Sequence, residues 1–182
     1  AKQHPRLNGA VNTTGSLLLK PAHTTTEEEW LSTVANNLTS SFTCVKFASK
    51  SMFSQGGSIV LVSSAASFAG IPNHDAIAAA KGGVSALTRS AAATYARQKI
   101  RINAVAPGFL QTPLTKAITD NQALLESSTE MYPLGRIGTP ADVVPAIEWL
   151  LSDASSWVTG EVIKIDGGMA SLKKKAQLKS KV

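Results

Sequence analysis

Short apolar runs alternate along the chain with longer segments of helical periodicity. Residues 59–62 form an apolar run typical of a buried strand, and the alanine-rich segment 74–97 that follows has the pattern of a helix. Three further strands are predicted at residues 7–11, 101–105 and 161–165. Strands separated by helices in this order form a parallel sheet with helices packed on it. We therefore expect an α/β fold.

A helix is also predicted between the first two strands. Thr26 followed three residues later by Glu29 forms a capping box, and the acidic run 27–29 suits the positive end of a helix. Apolar residues recur on successive turns and predict the face that packs on the sheet: Trp30, Val34, Leu38, Phe42 and Val45. Later in the chain, the polar stretch at residues 112–139 is expected to form a lid.

Composition favours one globular domain at residues 1–172, followed by a lysine-rich tail at residues 173–182. The 182 residues are 43% hydrophobic, which suffices for a sizeable core. Five of the six net positive charges lie in the tail. Nucleic-acid binding has only this tail to support it, and we do not expect it.

Other classes of protein are disfavoured by what the sequence contains. No apolar run reaches the ~18–20 residues of a membrane helix, so no membrane span is expected. The single Cys44 and the three histidines show no metal-ligand spacing, and no metal is predicted. Cys44 has no partner for an internal disulfide, which is compatible with a reducing compartment such as the cytoplasm or an organelle matrix.

The most informative motif lies in residues 56–81. Ser64 follows the strand predicted at residues 59–62, and Lys81 lies on the next helix. This pattern resembles the catalytic region of the short-chain dehydrogenase/reductase family, where a serine precedes a Tyr-x-x-x-Lys helix by thirteen residues. Ser64 and Lys81 hold the serine and lysine positions, whereas the tyrosine position holds Ile77. The resemblance implies a Rossmann-type doubly wound parallel sheet and hydride transfer between NAD or NADP and a carbonyl or alcohol.

The resemblance assigns catalytic roles to three residues. Ser64 would hydrogen-bond the substrate carbonyl, and Lys81 would bind the ribose hydroxyls of the cofactor. Asn37 lies twenty-seven residues before Ser64, where the family has a helix asparagine that holds a water linking the lysine to solvent. The alternative for Asn37 is a polar residue tolerated on a helix.

Ile77 leaves the site without the family's proton donor. General acid catalysis contributes roughly 10²–10⁴-fold, so weak carbonyl reduction at most is expected unless another group replaces the tyrosine. His74 lies one helical turn earlier and is a candidate replacement. The alternative is that His74 and Asp75 form an ordinary polar helix start.

Two turns resemble the cofactor-binding turns of the family. The turn from Asn12 to Gly15 resembles an Asn-Asn-Ala-Gly turn that borders the adenine ribose, although a generic strand-end turn is an alternative interpretation. Pro107 and Gly108, followed by Thr112, match the turn whose backbone and threonine hold the nicotinamide carboxamide.

The family's Gly-rich loop, Thr-Gly-x-x-x-Gly-x-Gly, does not occur in the sequence. That loop holds the cofactor pyrophosphate. We therefore expect the C-terminal portion of such a domain, with its N-terminal strands missing and with weak cofactor binding by this portion alone. Two functions stay open. One is an NAD(P)-dependent oxidoreductase that is divergent or truncated, and the other is a non-enzymatic structural or assembly subunit of a larger complex.

Self-association is also expected from the helix at residues 74–97. Family members associate through their long helices, which implies a homo-oligomer or a subunit of a larger complex. Glycine inside a helix costs ~1 kcal/mol relative to alanine, so two in succession call for a packing reason. That reason is a partner helix or the protein's own sheet, and the small residues concerned are Ala78, Ala79, Gly82, Gly83 and Ala86.

Overall fold

A four-stranded parallel sheet forms the centre of the protein. The computed structural model describes residues 6–173. The strands are β1 (Gly9–Asn12), β2 (Gly57–Val62), β3 (Ile100–Pro107) and β4 (Val162–Ile165), and they lie side by side in chain order. All three strand pairs are parallel, as the alternating pattern predicted. The first strand begins two residues later than predicted and continues to Asn12.

Helices cover both faces of this sheet. On one face α1 (Glu27–Val34), a π-helical stretch (Ala35–Thr39) and α2 (Ser40–Met52) follow one another without a break beside α3 (Asp75–Tyr95). The other face carries α6 (Pro140–Leu151). Two short helices, α4 (Lys116–Thr119) and α5 (Gln122–Thr129), lie between β3 and α6 in sequence.

The alternation of side chains along β2 explains why both faces are covered. Ile59 and Leu61 pack with residues of α2 and α3, whereas Val60 packs with α6. Successive side chains of a strand point to opposite faces, so an uninterrupted apolar strand is stable only between two layers of helices. The doubly wound α/β arrangement is therefore confirmed.

A capping box begins α1 where the sequence predicted, and side-chain groups also cap α6. Thr26 accepts a hydrogen bond from the backbone amide of Glu29, and the carboxylate of Glu29 accepts the amide of Thr26. At the start of α6, the carboxylate of Asp142 accepts the backbone amide and the hydroxyl of Thr139, and Pro140 lies in the first turn. These caps satisfy amides that have no partner inside the helix.

The apolar face predicted for the helix after Thr26 is only partly correct. Val45 is buried, but Trp30 and Phe42 are 41% and 54% exposed. The buried positions in this part of the helix are instead polar, and each side chain there finds hydrogen-bond partners, so its burial is tolerated. The π-helical stretch has more residues per turn than an α-helix, which displaces the faces of α1 and α2. The buried polar residues are Thr33, Asn37 and Ser41.

No helix within residues 6–173 is long and apolar enough to cross a membrane. The lysine-rich tail predicted at residues 173–182 lies outside the described residues, apart from Lys173.

Candidate active site

A cavity of about 290 Å³ lies at the carboxyl end of the sheet. The turn after β1, the end of β2, the start of α3 and the turn after β3 all contribute to its wall. Open α/β sheets bind ligands in the crevice at this end of their strands. The predicted lid, residues 112–139, borders the same cavity through Leu114, Ile118 and Met131.

Most of the residues predicted from the sequence lie around this cavity. Asn12 does not line it: its side-chain amide donates to the hydroxyls of Ser40 and Ser41, and its Oδ1 accepts the backbone amide of Thr14. Asn12 therefore braces the turn after β1 against the helix. The predicted residues that line the cavity are Gly15, Asn37, Ser64, Lys81, Pro107, Gly108 and Thr112.

Lys81 is buried, with only 7% of its surface exposed. Its Nζ donates to the backbone carbonyl of Val62 at 2.7 Å. Burial lowers the pKa of Lys81 from 10.5 to about 8, because the charged ammonium loses hydration. Within residues 6–173, no Asp or Glu side chain lines the cavity to compensate for that charge.

Asn37 connects the helix to the turn beside Lys81. It is fully buried, and its Nδ2 donates to the backbone carbonyl of Thr33 and to the hydroxyl of Ser16. A side chain at Gly15 would place its Cβ 3.0 Å from Asn37 Oδ1 and 3.7 Å from Lys81 Nζ. The missing side chain therefore lets the turn approach the asparagine and leaves space beside the lysine.

The end of β2 carries two serines with different surroundings. Ser64 lines the cavity, and its Oγ accepts the backbone amide of Ala66 at 3.1 Å, so its hydroxyl hydrogen is free to donate. Ser63 is buried and contacts the carbonyl of Lys81 at 3.0 Å and the hydroxyl of Ser85 at 2.8 Å. Sequence reasoning missed this role for Ser63. The sequence carried no local signal for it, because Ser63 and Ser85 are twenty-two residues apart.

Position 77 presents an apolar side chain to the cavity. Ile77 is 4% exposed and lies one helical turn before Lys81. His74 precedes α3 as its N-cap residue and also lines the cavity. Nδ1 of His74 lies 2.8 Å from the carbonyl of Pro72. Because a carbonyl only accepts, this contact assigns the ring proton to Nδ1 and leaves a lone pair on Nε2 of the neutral ring.

Tyr132 supports the turn after β3. Its hydroxyl accepts the backbone amide of Phe109 at 2.6 Å, and burial raises the pKa of this phenol. A Cβ at Gly108 would lie 2.8 Å from the Tyr132 ring, so only glycine permits this contact. Thr112 bonds through its hydroxyl and its amide to the hydroxyl of Thr115. Sequence reasoning did not assign Tyr132 a role.

Most of the surface of the cavity is apolar. Ser64 and Lys81 are among the polar side chains that interrupt it, so the cavity suits a molecule with an apolar body and few polar groups. Within residues 6–173, no cluster of three or more His, Cys, Asp or Glu side chains is placed to hold a metal ion. The apolar lining includes Leu17, Leu19, Ile71, Ile77, Leu114, Ile118, Met131 and Met169.

Comparison with known proteins identifies the family. A family model described as enoyl-(acyl carrier protein) reductase matches residues 1–170. The chain belongs to the short-chain dehydrogenase/reductase family. The resemblance seen in the sequence motifs is therefore confirmed.

Three similar members of the short-chain dehydrogenase/reductase family illustrate the relationship. The 2,5-dichloro-2,5-cyclohexadiene-1,4-diol dehydrogenase of Sphingobium indicum is 42% identical over 139 residues, which are 75% of this chain and 56% of that protein. Inactive 2-(S)-hydroxypropyl-CoM dehydrogenase 2 of Xanthobacter autotrophicus is 39% identical over 171 residues, and the match covers 91% of this chain and 74% of that protein. The structure of a gluconate 5-dehydrogenase from Burkholderia cenocepacia in complex with NADP and tartrate superposes with a TM-score of 0.87 at 29% identity. The superposition covers 91% of this chain and 66% of that protein.

The chain spans only part of the length of several curated family members. It covers 56% of the Sphingobium dehydrogenase, 52% of a tropinone reductase homolog of Arabidopsis thaliana and 64% of a 3-oxoacyl-[acyl-carrier-protein] reductase of Chlamydia muridarum.

Proposed function

We propose that this chain forms the substrate- and nicotinamide-binding portion of an NAD(P)-dependent oxidoreductase that acts on a carbonyl or an alcohol. One observation carries the proposal: a single cavity gathers Ser64, Lys81, Thr112 and the Pro107-Gly108 turn at the carboxyl end of the sheet. These residues come from three separate segments of the chain. The family membership and the NADP in the Burkholderia structure support the same assignment.

The residues around the cavity fit a nicotinamide nucleoside. Lys81 would hold the ribose hydroxyls, and the space that Gly15 leaves beside the ammonium keeps that approach open. The hydroxyl of Thr112 and the backbone at Gly108 would hold the carboxamide. Asn12 would act indirectly, because it fixes the turn after β1 through Thr14. The nicotinamide ring, when bound, supplies or accepts the hydride.

Substrate orientation would depend on Ser64 and on the apolar wall. The hydroxyl hydrogen of Ser64 is free to donate to a substrate oxygen. The apolar side chains of the lid would cover the body of the substrate and exclude water. We propose that Asn37 acts by positioning, since its amide holds the turn next to Lys81.

A second candidate function is a non-enzymatic subunit of a larger complex. Ile77 favours it, because an alkyl side chain cannot give a proton to the substrate oxygen. The relative from Xanthobacter is itself named inactive. The two candidate functions share the fold and the cavity, but only the oxidoreductase would turn over a substrate.

Binding of nicotinamide mononucleotide to the 182-residue chain tests the main proposal. This ligand contains only the nicotinamide half, so we expect a dissociation constant on the order of millimolar, about −4 kcal/mol. Lys81→Met and Thr112→Val should weaken binding, whereas Lys50→Met on the exposed side of α2 should not. NMR titration measures all four proteins. Equal binding by the parent and both cavity variants would count against the proposed site.

Calorimetry with the whole cofactors compares the affinity of this portion with that of a longer form. We expect NADH and NADPH to bind poorly to the 182-residue chain, because the sequence contains no Gly-rich pyrophosphate loop. A longer form that includes such a loop should bind one of them tightly. Micromolar binding by the 182 residues alone would contradict the expectation of a partial site.

A further inference from the structure

We propose that Lys81 is a reactive amine that captures small apolar aldehydes and ketones as imines inside the cavity. This inference goes beyond the oxidoreductase proposal and does not rest on it, because imine formation needs neither hydride nor cofactor. It assigns the cavity a covalent carbonyl-binding chemistry of its own.

The hydrogen bonding of Lys81 suits a nucleophilic amine. Among the described residues, Nζ has one hydrogen-bond acceptor, the carbonyl of Val62 at 2.7 Å. That bond uses one N–H and leaves the lone pair of the neutral amine unshared. Lys81 lines the cavity, and its Nζ lies 3.7 Å from the position that a Cβ would take at Gly15, another lining residue, so a carbonyl compound beside Gly15 would reach the lone pair.

The surroundings of Lys81 increase the fraction of neutral amine. β2, the π-helical stretch and the turn after β1 contribute Val62, Asn37 and Gly15 around the cavity near the lysine, and none of these can ionise. Among the described residues, His74 and Tyr132 are the other titratable side chains in the cavity wall. Burial lowers the pKa of Lys81 to about 8, so a far larger neutral fraction exists near pH 7.5 than at the ordinary value of 10.5.

Two carboxylates of the described residues are engaged by backbone amides. Asp166 accepts the backbone amides of Gly168 and Ala170, and Asp75 accepts the amide of Ala22. Neither carboxylate belongs to the cavity wall. The ammonium form of Lys81 therefore has no compensating anion among the described residues that line the cavity.

The wall beside Lys81 selects the carbonyl compound. Ile77 replaces a polar side chain of the family with an apolar one, and Leu17, Leu114 and Met131 extend this surface. A neutral apolar carbonyl compound gains from burial there, whereas a hydroxylated one loses hydration. The volume of about 290 Å³ restricts the occupant to a small molecule.

The reaction balances without a redox partner. The amine lone pair forms a bond to the carbonyl carbon, and the C=O π pair moves to oxygen, which the hydroxyl of Ser64 can hydrogen-bond. One proton leaves the ammonium to free the lone pair, and this proton and a second one from nitrogen end on the carbonyl oxygen. The C–O bond then breaks and the oxygen leaves as water. The third proton stays on nitrogen as the protonated imine. The apolar wall favours condensation because it limits the return of water.

Reductive trapping on the cofactor-free 182-residue chain tests the inference. Limiting benzaldehyde with sodium cyanoborohydride at pH 7.5 fixes any imine as a benzylamine, and peptide mapping by mass spectrometry locates it. We expect Lys81 to react about tenfold or more faster than the exposed Lys50. Lys81→Arg keeps the cation but should remove only the Lys81 product, with circular dichroism confirming the fold.

Glyceraldehyde, a neutral but hydroxylated aldehyde, serves as the control reagent. It should not show preference for Lys81 over Lys50. If benzaldehyde labels Lys81 no faster than Lys50, or if glyceraldehyde prefers Lys81 equally, the inference is wrong. Nicotinamide mononucleotide is then added as a competitor. If labelling of Lys81 is selective but the nucleotide does not slow it, the amine chemistry is supported and the ribose role of Lys81 is not. The two proposals can therefore fail separately.

Discussion

The side-chain amide of Asn37 holds Ser16 through both of its ends. Oδ1 of Asn37 accepts the backbone amide of Ser16 at 3.2 Å, and Nδ2 donates to the hydroxyl of Ser16 at 3.0 Å. The π-helical stretch therefore fixes the turn after β1, in which Gly15 lies beside Lys81. One asparagine links the helix, the turn and the cavity wall.

We expect Asn37→Ala to destabilise the protein by about 1–3 kcal/mol, because Ser16 and Thr33 lose buried hydrogen-bond partners. Asn36→Ala is the matched control. Asn36 is exposed, and its side chain makes one long bond of 3.4 Å to Ser32, so its loss should change stability by less than about 0.5 kcal/mol. Urea unfolding measures both variants. Equal effects would show that the amide of Asn37 does not fix the turn.

Lys81→Met should stabilise the folded protein near neutral pH. Below pH 8 the folded chain must charge a buried amine, and the lowered pKa corresponds to a cost of about 3 kcal/mol. The variant also loses the hydrogen bond to Val62, which costs about 1 kcal/mol, so its net gain in the free energy of unfolding is about 2 kcal/mol.

The gain from Lys81→Met should disappear at high pH. Between pH 8 and 10.5 the unfolded chain binds a proton that the folded chain does not, so the parent becomes more stable as pH rises through this interval. Urea unfolding should show Lys81→Met to be more stable than the parent at pH 7 but not at pH 10.5. Lys50→Met, which removes an exposed lysine, should have little effect at either pH. A gain that is the same at both pH values would exclude desolvation of Lys81 as its cause.

The layered fold was predictable because its signals are local. The apolar run 59–62 needs cover on both faces, and Thr26 with Glu29 begins a helix through bonds between near neighbours. The strand-end position of Ser64 and the helical position of Lys81 follow from the same local patterns. Family motifs then placed both residues at one end of the sheet.

Other features depend on contacts between distant segments and were not predictable. Trp30 and Phe42 match an amphipathic pattern, yet the π-helical stretch displaces that face and buries hydrogen-bonded Asn37 instead. The contact of Ser63 with Ser85 joins residues twenty-two apart. The contact of Tyr132 with Phe109 depends on the path of the segment after β3. No periodicity encodes such pairings.

Two neighbouring glycines of α3 should respond differently to alanine. A Cβ at Gly83 would lie 2.8 Å from Leu38, so the packing reason for this glycine lies within the chain. A Cβ at Gly82 would meet nothing within 4 Å among the described residues. Gly82→Ala should therefore stabilise a single protomer by ~1 kcal/mol. Gly83→Ala should be less stable than Gly82→Ala by about 1–3 kcal/mol because Leu38 must move.

Self-association through α3 predicts a further effect of Gly82→Ala. We propose that a second copy packs on the open surface around Gly82 of α3, giving a dimer or tetramer. Gly82→Ala should then weaken association even as it stabilises the protomer. Light scattering at tens of micromolar measures the mass of the parent and the variant. A parent that is only monomeric would rule out this interface.

The last prediction concerns the missing proton donor at position 77. In a form that contains the complete cofactor-binding portion, Ile77→Tyr should raise carbonyl reduction by roughly 10²–10⁴-fold. The new phenol would lie one helical turn from Lys81, whose charge favours the phenolate, and in the same cavity wall as Ser64. NADPH oxidation with small ketones and quinones, followed across pH, measures the change. Ile77→Phe is the matched control, since it adds the ring without the hydroxyl and should give no gain.

The same assay tests whether His74 has replaced the missing tyrosine. Its Nδ1 proton is held by Pro72, so Nε2 is the atom that would exchange a proton with substrate. If His74 has replaced the tyrosine, the parent is already active, His74→Ala abolishes that activity, and Ile77→Tyr adds little. If the site is only disabled, the parent is nearly inactive and Ile77→Tyr restores turnover. Robust parent activity that survives His74→Ala would contradict both accounts, because neither Ile77 nor His74 would then limit the proton transfer.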